Sequence, residues 1–555
     1  MTGTIITIIG LLLFLSGYFF YSKYLSKNIF KIDSDTIPPS IKYRDNVDYL
    51  PTKKHILFGH HFTSIAGLAP IIGPCIAICW GWLPALLWIT LGAIFMGAVH
   101  DFGALVISAK EKGKSVADIS GKIINNRVRI MFLIFVIILS WLVLAVFTMG
   151  ISKLFISNNG AQAVIPINIE IILAFFMGQY IYKSKKNPLI PSILILLILY
   201  LSIFIGIKYP IQLSLSFWIY FLFLYSATAS LLPVWKLLQP RDFINSHQLI
   251  LALIIIFISI FISNPETTIN AVQVHTDNPP IFPFLFVTIA CGAISGFHGL
   301  VSSGTTSKQL KNLKDSRLIG YGAMLGESSL ALATTVAAAC GIGLYLNVSP
   351  DHSHDLSNFI ATKEISFETF PNSVAALIHN AVIRITGIQN ESIAVFNVLK
   401  TFVIVIMISF AATTLDSATR ICRFMIKELG EALNIKTFQN KIIGTALTIT
   451  PALLLLIIQI GDKSLGLFLW PLFGASNQML AALTLMIISF YFGNKNKNIW
   501  PTLIPMLFIS IICIASFIFN FQSMTNFVLI SINSLLLILV IWLLVEGIIH
   551  YLNDK

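Results

Sequence analysis

Charge is what this chain has least of. Only 11% of its 555 residues are Asp, Glu, Lys or Arg, where a soluble domain carries about 25%. Hydrophobic residues make up 56% and mean hydropathy is +0.85, more apolar surface than so few polar groups could keep in water. An ordinary cytosolic enzyme and a disordered protein are excluded on that ground. Cysteine is sparse as well: Cys75, Cys79, Cys291, Cys340, Cys422 and Cys513 all lie in or beside apolar segments, and no C-x-x-C occurs. That pattern excludes a secreted disulfide scaffold and reads as small packed residues, with no metal site and no cofactor expected. There is no G-x-x-x-x-G-K-[ST] loop and no soluble stretch large enough for a nucleotide domain, so energy from ATP would have to come from another chain.

What the chain does have is long apolar runs. A helix crosses the hydrocarbon core with roughly 20 residues, and hydropathy gives about fifteen such spans. They lie near 4–22, 57–80, 83–109, 130–152, 164–183, 188–208, 213–235, 246–264, 281–303, 318–346, 393–417, 442–460, 464–490, 501–520 and 524–549. The fold class is therefore an all-α polytopic membrane protein. Thirty of the 36 Lys and Arg fall in loops on one side and five on the other, Lys400 lying within a span. Basic loops stay cytoplasmic, so the N-terminus is expected outside and the C-terminus inside. The net charge of +12 is thus topology, and nucleic acid is not an expected partner. Residues 4–22 lack a basic leader and a small-residue cleavage site, so they read as a retained helix. Two loops are long: 23–56, basic and inside, and 347–392, outside. Within the latter, 372–388 is apolar but short, which suggests an interfacial or re-entrant helix.

Function is expected where spans are interrupted by Gly, Pro, hydroxyl and ionisable residues. The stretch GHHFTSIAGLAPIIGP brings His60, His61, Ser64, Gly67, Pro70 and Gly73 into the second span. Its prolines each remove a backbone donor, and a broken helix can hold an ion or an anion with the groups it frees. The stretch CGAISGFHGLVSSGTTSKQL carries Ser295, His298, Ser302, Ser303, Thr305 and Thr306, more polarity than close packing requires. In LWPLFGASNQMLAALTL, Asn477 and Gln478 bring paired amides to membrane depth, either for substrate or for interhelical bonding. Asp101, Glu327 and Asp416 are isolated acids, costly in lipid and suited to ion coupling. Asp416 stands four residues before Arg420, a spacing that permits an ion pair on one helix face. Lys400 can snorkel to the outer surface.

These segments, with SLLPVWKLLQPRDFINS at 230–246, IGYGAMLGES and FAATTLDSATR, resemble the carbon starvation protein A (CstA) family from about 55 to 490. The resemblance implies a multi-pass transporter of the bacterial inner membrane, induced in the cellular response to starvation and importing peptides or pyruvate. It also implies a core of inverted repeats of the amino acid-polyamine-organocation type. On this reading 1–56 is an N-terminal transmembrane helix with a basic loop, 57–490 the transporter core, and 491–555 two C-terminal helices. Its partners are then a small-molecule substrate and the lipid bilayer.

Rival readings come from other classes. His60, His61, His100 and His298 could ligate haem in a membrane redox protein, and a passive channel would use similar polar interruptions. Among carriers, the hydroxyl-rich 302–306 stretch suits Na⁺, whereas His298 and the buried acids suit proton exchange near neutral pH. Symport with H⁺ is the expected mode, and no enzymatic activity is expected.

Overall fold

In a bilayer every backbone N–H and C=O has to be satisfied inside the protein, so apolar runs of this length become helices. The computed structural model describes all residues except 33–35, 46–47, 185–187, 274–278, 349–367, 388–392, 458–464, 525 and 554–555. Among the described residues extended pairing is limited to isolated bridges, Thr2 with Glu266 and Thr52 with Leu310, and the regular elements are all helices joined by turns and loops.

Among the described residues, eleven helices are long and apolar enough to cross a membrane, twelve if one bent pair is counted. The other four of the expected fifteen segments are helical too, but bent, shorter or broken. The 57–80 segment is the pair Lys54–Ile65 and Ala69–Trp80, bent by 44°. The 213–235 and 442–460 segments form the shorter helices Leu215–Leu231 and Lys441–Ile457. The 281–303 segment is broken into Ile281–Thr288, Ala290–Ala293 and Gly296–Val301. A hydropathy window averages over such breaks.

Burial sorts the helices into centre and rim. The most apolar window of Leu469–Gly493 is 100% buried, that of Asn126–Ile156 is 78% buried, and those of Gly3–Ile29 and Phe527–Leu552 are each 33% buried. Leu465–Gly493 packs on Asn126–Ile156 and Trp500–Ser523, and Asn126–Ile156 packs on the long helix Ile393–Ala432. Asn125 starts the central helix Asn126–Ile156, its Oδ1 accepting the Val128 N–H at 2.9 Å. At the rim, Leu189–Lys208 turns Ile190, Leu201 and Phe204 outward, the surface expected toward lipid.

The helix Thr369–Thr386, expected as an interfacial or re-entrant helix, buries its first three turns against Leu238–Ser263 and Ile393–Ala432. The rest of the 347–392 loop falls mostly outside the described residues. Arg241, counted as a cytoplasmic loop cation, is fully buried in Leu238–Ser263, and Arg420 and Arg423 are also buried. The expected Asp416–Arg420 pair does not form: Asp416 pairs with Arg241, and Arg420 Nη2 donates to the carbonyls of Ala229 and Leu232 at the end of Leu215–Leu231. Lys400 does not merely snorkel, because its Nζ reaches Glu368 Oε2 at 2.7 Å.

Two broken spans shape the interior. The first breaks at Ala66, whose ψ of 78° leaves the helix. Pro70, in the first turn of Ala69–Ala77, has no N–H to continue the earlier ladder. The second breaks at Ile289 and again at Ile294 and Ser295, which are extended. The halves run against each other: Lys54–Ile65 packs on the 296–306 stretch, and Ala69–Ala77 packs on Ile281–Thr288 and Ala290–Ala293.

Candidate functional site

Four side chains from three segments meet in a line. Asp101, on the inner part of the Trp82–Lys110 span, has imidazoles on both oxygens. His100 Nδ1 lies 2.7 Å from Oδ1, and His298 Nδ1 lies 3.0 Å from Oδ2. His298, from Gly296–Val301, also places Nε2 at 3.1 Å from Glu327 Oε2 on Ala323–Val336. All four are completely buried. The approach depends on Gly299, where an added Cβ would stand 2.9 Å from His100 Nε2. His298 thus has a carboxylate at each ring nitrogen. Its Nδ1 is hydrogen-bonded to Asp101, whereas Nε2 and Glu327 Oε2 approach as an ion pair without hydrogen-bond geometry. A proton arriving at Nδ1 and leaving from Nε2 would pass from the Asp101 side to the Glu327 side.

Around this line the expected site residues separate into two kinds. His61 Nδ1 lies 2.9 Å from Thr306 Oγ1 and joins the two broken spans, leaving Nε2 buried without a partner. The Ser302 hydroxyl is also buried without a partner. Other polar groups are taken up by backbone. Ser303 Oγ donates to the Gly299 carbonyl at 2.7 Å, and half-buried Thr305 donates to the Val301 carbonyl at 3.0 Å. Asn477 repairs the second break: its Oδ1 accepts the Phe297 N–H at 2.9 Å and its Nδ2 donates to Ser295 Oγ at 3.0 Å. Gln478 Nε2 donates to the Phe286 carbonyl at 2.7 Å. Both amides therefore perform the interhelical bonding that was one of their two expected roles. Gly73 lies where a Cβ would meet the Thr288 carbonyl at 2.5 Å, and Pro70 faces Gly292 across the same contact.

A second ionic centre was not anticipated. Arg241 Nη1 donates to Asp416 Oδ2 at 2.8 Å and to Tyr225 Oη at 2.6 Å, and Tyr225 Oη–H donates to the same Asp416 oxygen at 2.8 Å. Glu170 Oε1 stands 3.5 Å from Arg241 Nε, while its Oε2 accepts from Ser409 Oγ at 2.6 Å. The neighbouring residue Asp242 places Oδ2 2.5 Å from His60 Nδ1, and Ser64 Oγ lies 3.4 Å from both Asp242 Oδ2 and Ser417 Oγ. Adjacent residues His60 and His61 therefore face different centres. The only signal for Arg241 and Asp242 in the sequence is an Arg-Asp pair running straight into an apolar helix without a turn between them. Glu170 stands as an acid inside an expected span, a signal that the sequence reading overlooks.

The family model and the curated relatives agree on one family. The model described as carbon starvation protein CstA matches residues 2–516. The peptide transporter CstA of Campylobacter jejuni is 32% identical over 90% of this chain and 77% of its own length. The pyruvate/proton symporter BtsT of Escherichia coli is 30% identical over 91% of this chain and 80% of its own. Among solved structures, the manganese transporter of Eremococcus coleocola, in complex with an aromatic bis-isothiourea substituted compound, aligns at TM-score 0.51 and 11% identity. That alignment covers 91% of this chain and 99% of that one, a likeness of fold alone.

Proposed function

The chain belongs to the carbon starvation protein CstA family, and from that premise we propose that it is a secondary active transporter importing peptides or pyruvate by H⁺ symport in the starvation response. It is a multi-pass inner-membrane protein, a transporter and not an enzyme. Its N-terminus is outside and its C-terminus cytoplasmic, the side of most of its Lys and Arg. The observation that carries the coupling is the buried line His100–Asp101–His298–Glu327, with an imidazole held between two carboxylates. Isolated ionisable groups at membrane depth mark ion pathways, and this arrangement gives one proton two acceptors on different helices.

The substrate site lies along the paired breaks, where His61 meets Thr306 and the Ser302 hydroxyl is buried without a partner. Two interrupted spans lying against each other are how inverted-repeat carriers frame a midplane site, which favours a core of the amino acid-polyamine-organocation type. Among Na⁺, H⁺ and no coupling, a gradient experiment decides. Purified protein in liposomes should accumulate labelled pyruvate or a labelled dipeptide when a pH gradient is imposed. Accumulation that tracks an imposed Na⁺ gradient and ignores the pH gradient would overturn the H⁺ reading.

A further inference from the structure

Arg241 is fully buried, yet only one of its nitrogens is well used. Nη1 holds both Asp416 and Tyr225, whereas Nη2 has no hydrogen-bond partner and Nε has only the 3.5 Å approach of Glu170. Nε and Nη2 together form the side-on edge of the guanidinium, the edge that grips a carboxylate through two parallel N–H···O bonds. An Arg in a closed ionic pair would use that edge. Here it makes no hydrogen bond, with only Glu170 Oε1 at 3.5 Å from Nε, and Asp416 Oδ1 and Asp242 Oδ1 make none either.

The surroundings place this edge beside the substrate path. Gly67, in the break of the first broken span, packs so closely on Thr414 that an added Cβ would lie 2.7 Å from Thr414 Oγ1, two residues from Asp416. Ser64, one turn earlier, bridges toward Asp242 and Ser417. Through Ser64 the end of the first half-helix, just before the break, borders the Arg241 centre. Building on the transport function proposed above, we propose that the Nε–Nη2 edge of Arg241 is the seat of the substrate's carboxylate, which displaces Glu170 from Nε while Asp416 keeps Nη1.

The ligand class is a small carboxylate, a group that pyruvate and the C-terminus of a peptide have in common. Arg241 faces Glu170, Asp416, Asp242, Tyr225 and His60. Three internal carboxylates already exceed the fixed cation there. A fourth negative charge in this enclosed place needs a compensating proton, so carboxylate entry and proton entry are tied together.

Counterflow in proteoliposomes tests this with labelled pyruvate in one arm and labelled dialanine in the other. Against the active substrate, pyruvamide and C-terminally amidated dialanine should compete at least about tenfold more weakly than the free acids, the cost of losing a charge-assisted pair. Arg241→Lys, which keeps the charge but not the fork, should raise the half-saturation concentration by a similar factor while protein yield and melting temperature hold. The arm that responds identifies the carboxylate's source. Equal competition by amide and acid overturns the assignment even if Arg241→Lys does not fold, and so does a folded Arg241→Lys protein with wild-type half-saturation. A wild-type protein that exchanges neither compound overturns the proposed function as well.

Discussion

The His298 centre and the Arg241 centre are equally buried and are built on different helices, with Lys54–Ile65 lying between them, and their cations differ. At His298 the positive group is an imidazole, a side chain that can carry or release its second proton, with a carboxylate near each nitrogen. At Arg241 it is a guanidinium, which stays charged, with its strongest contacts crowded on Nη1. A titrating cation between acids suits moving a proton. A permanent cation with an open edge suits holding an anion. One membrane protein needs both for symport, and the pair His60 and His61 gives the two centres a shared wall.

The contrast between the centres can be broken by substitution. His298→Ala should have the largest effect, abolishing uptake driven by a pH gradient, because Asp101 and Glu327 lose the group between them; normal uptake would remove the proton from this centre. Arg241→Leu should act first on stability. Leaving Glu170, Asp416 and Asp242 without their cation should cost about 3–5 kcal/mol, read as a loss of folded protein and melting temperature in detergent. Gly67→Ala comes next, since its Cβ would lie 2.6 Å from Phe147 and 2.7 Å from Thr414 Oγ1. Overpacking of that kind costs about 1–3 kcal/mol and should lower melting temperature and transport together. Ser302→Ala should be smallest in stability, within about 0.5 kcal/mol, because the hydroxyl has no partner to lose. If that hydroxyl meets the substrate, the half-saturation concentration rises while the melting temperature stays.

Much of the molecule is legible before the fold. Segments of the right composition announce the helices, and the Gly, Pro and hydroxyl interruptions announce the two breaks. His298, Asp101 and Glu327 all stand out, because an ionisable group in an apolar run is conspicuous alone. What cannot be read is partnership. Four-residue spacing matches Asp416 to Arg420, but helix Leu238–Ser263 brings Arg241 closer, and spacing along one helix carries no information about another. Arg241 reads as a loop residue because the run before it contains Pro233 and Pro240, whereas the helix begins at Leu238 and carries the charge inward. Asn477 and Gln478 look like ligands for the same reason that they serve the break: both needs are met by an amide at membrane depth.

The most direct test of the proton's place is Glu327→Gln in proteoliposomes, measured twice on one preparation. We expect accumulation driven by a pH gradient to be lost while exchange between identical substrates continues, because the amide keeps the shape but cannot take the proton from His298. Accumulation at the wild-type level in that variant would contradict the assignment of the coupling proton to the His298 centre.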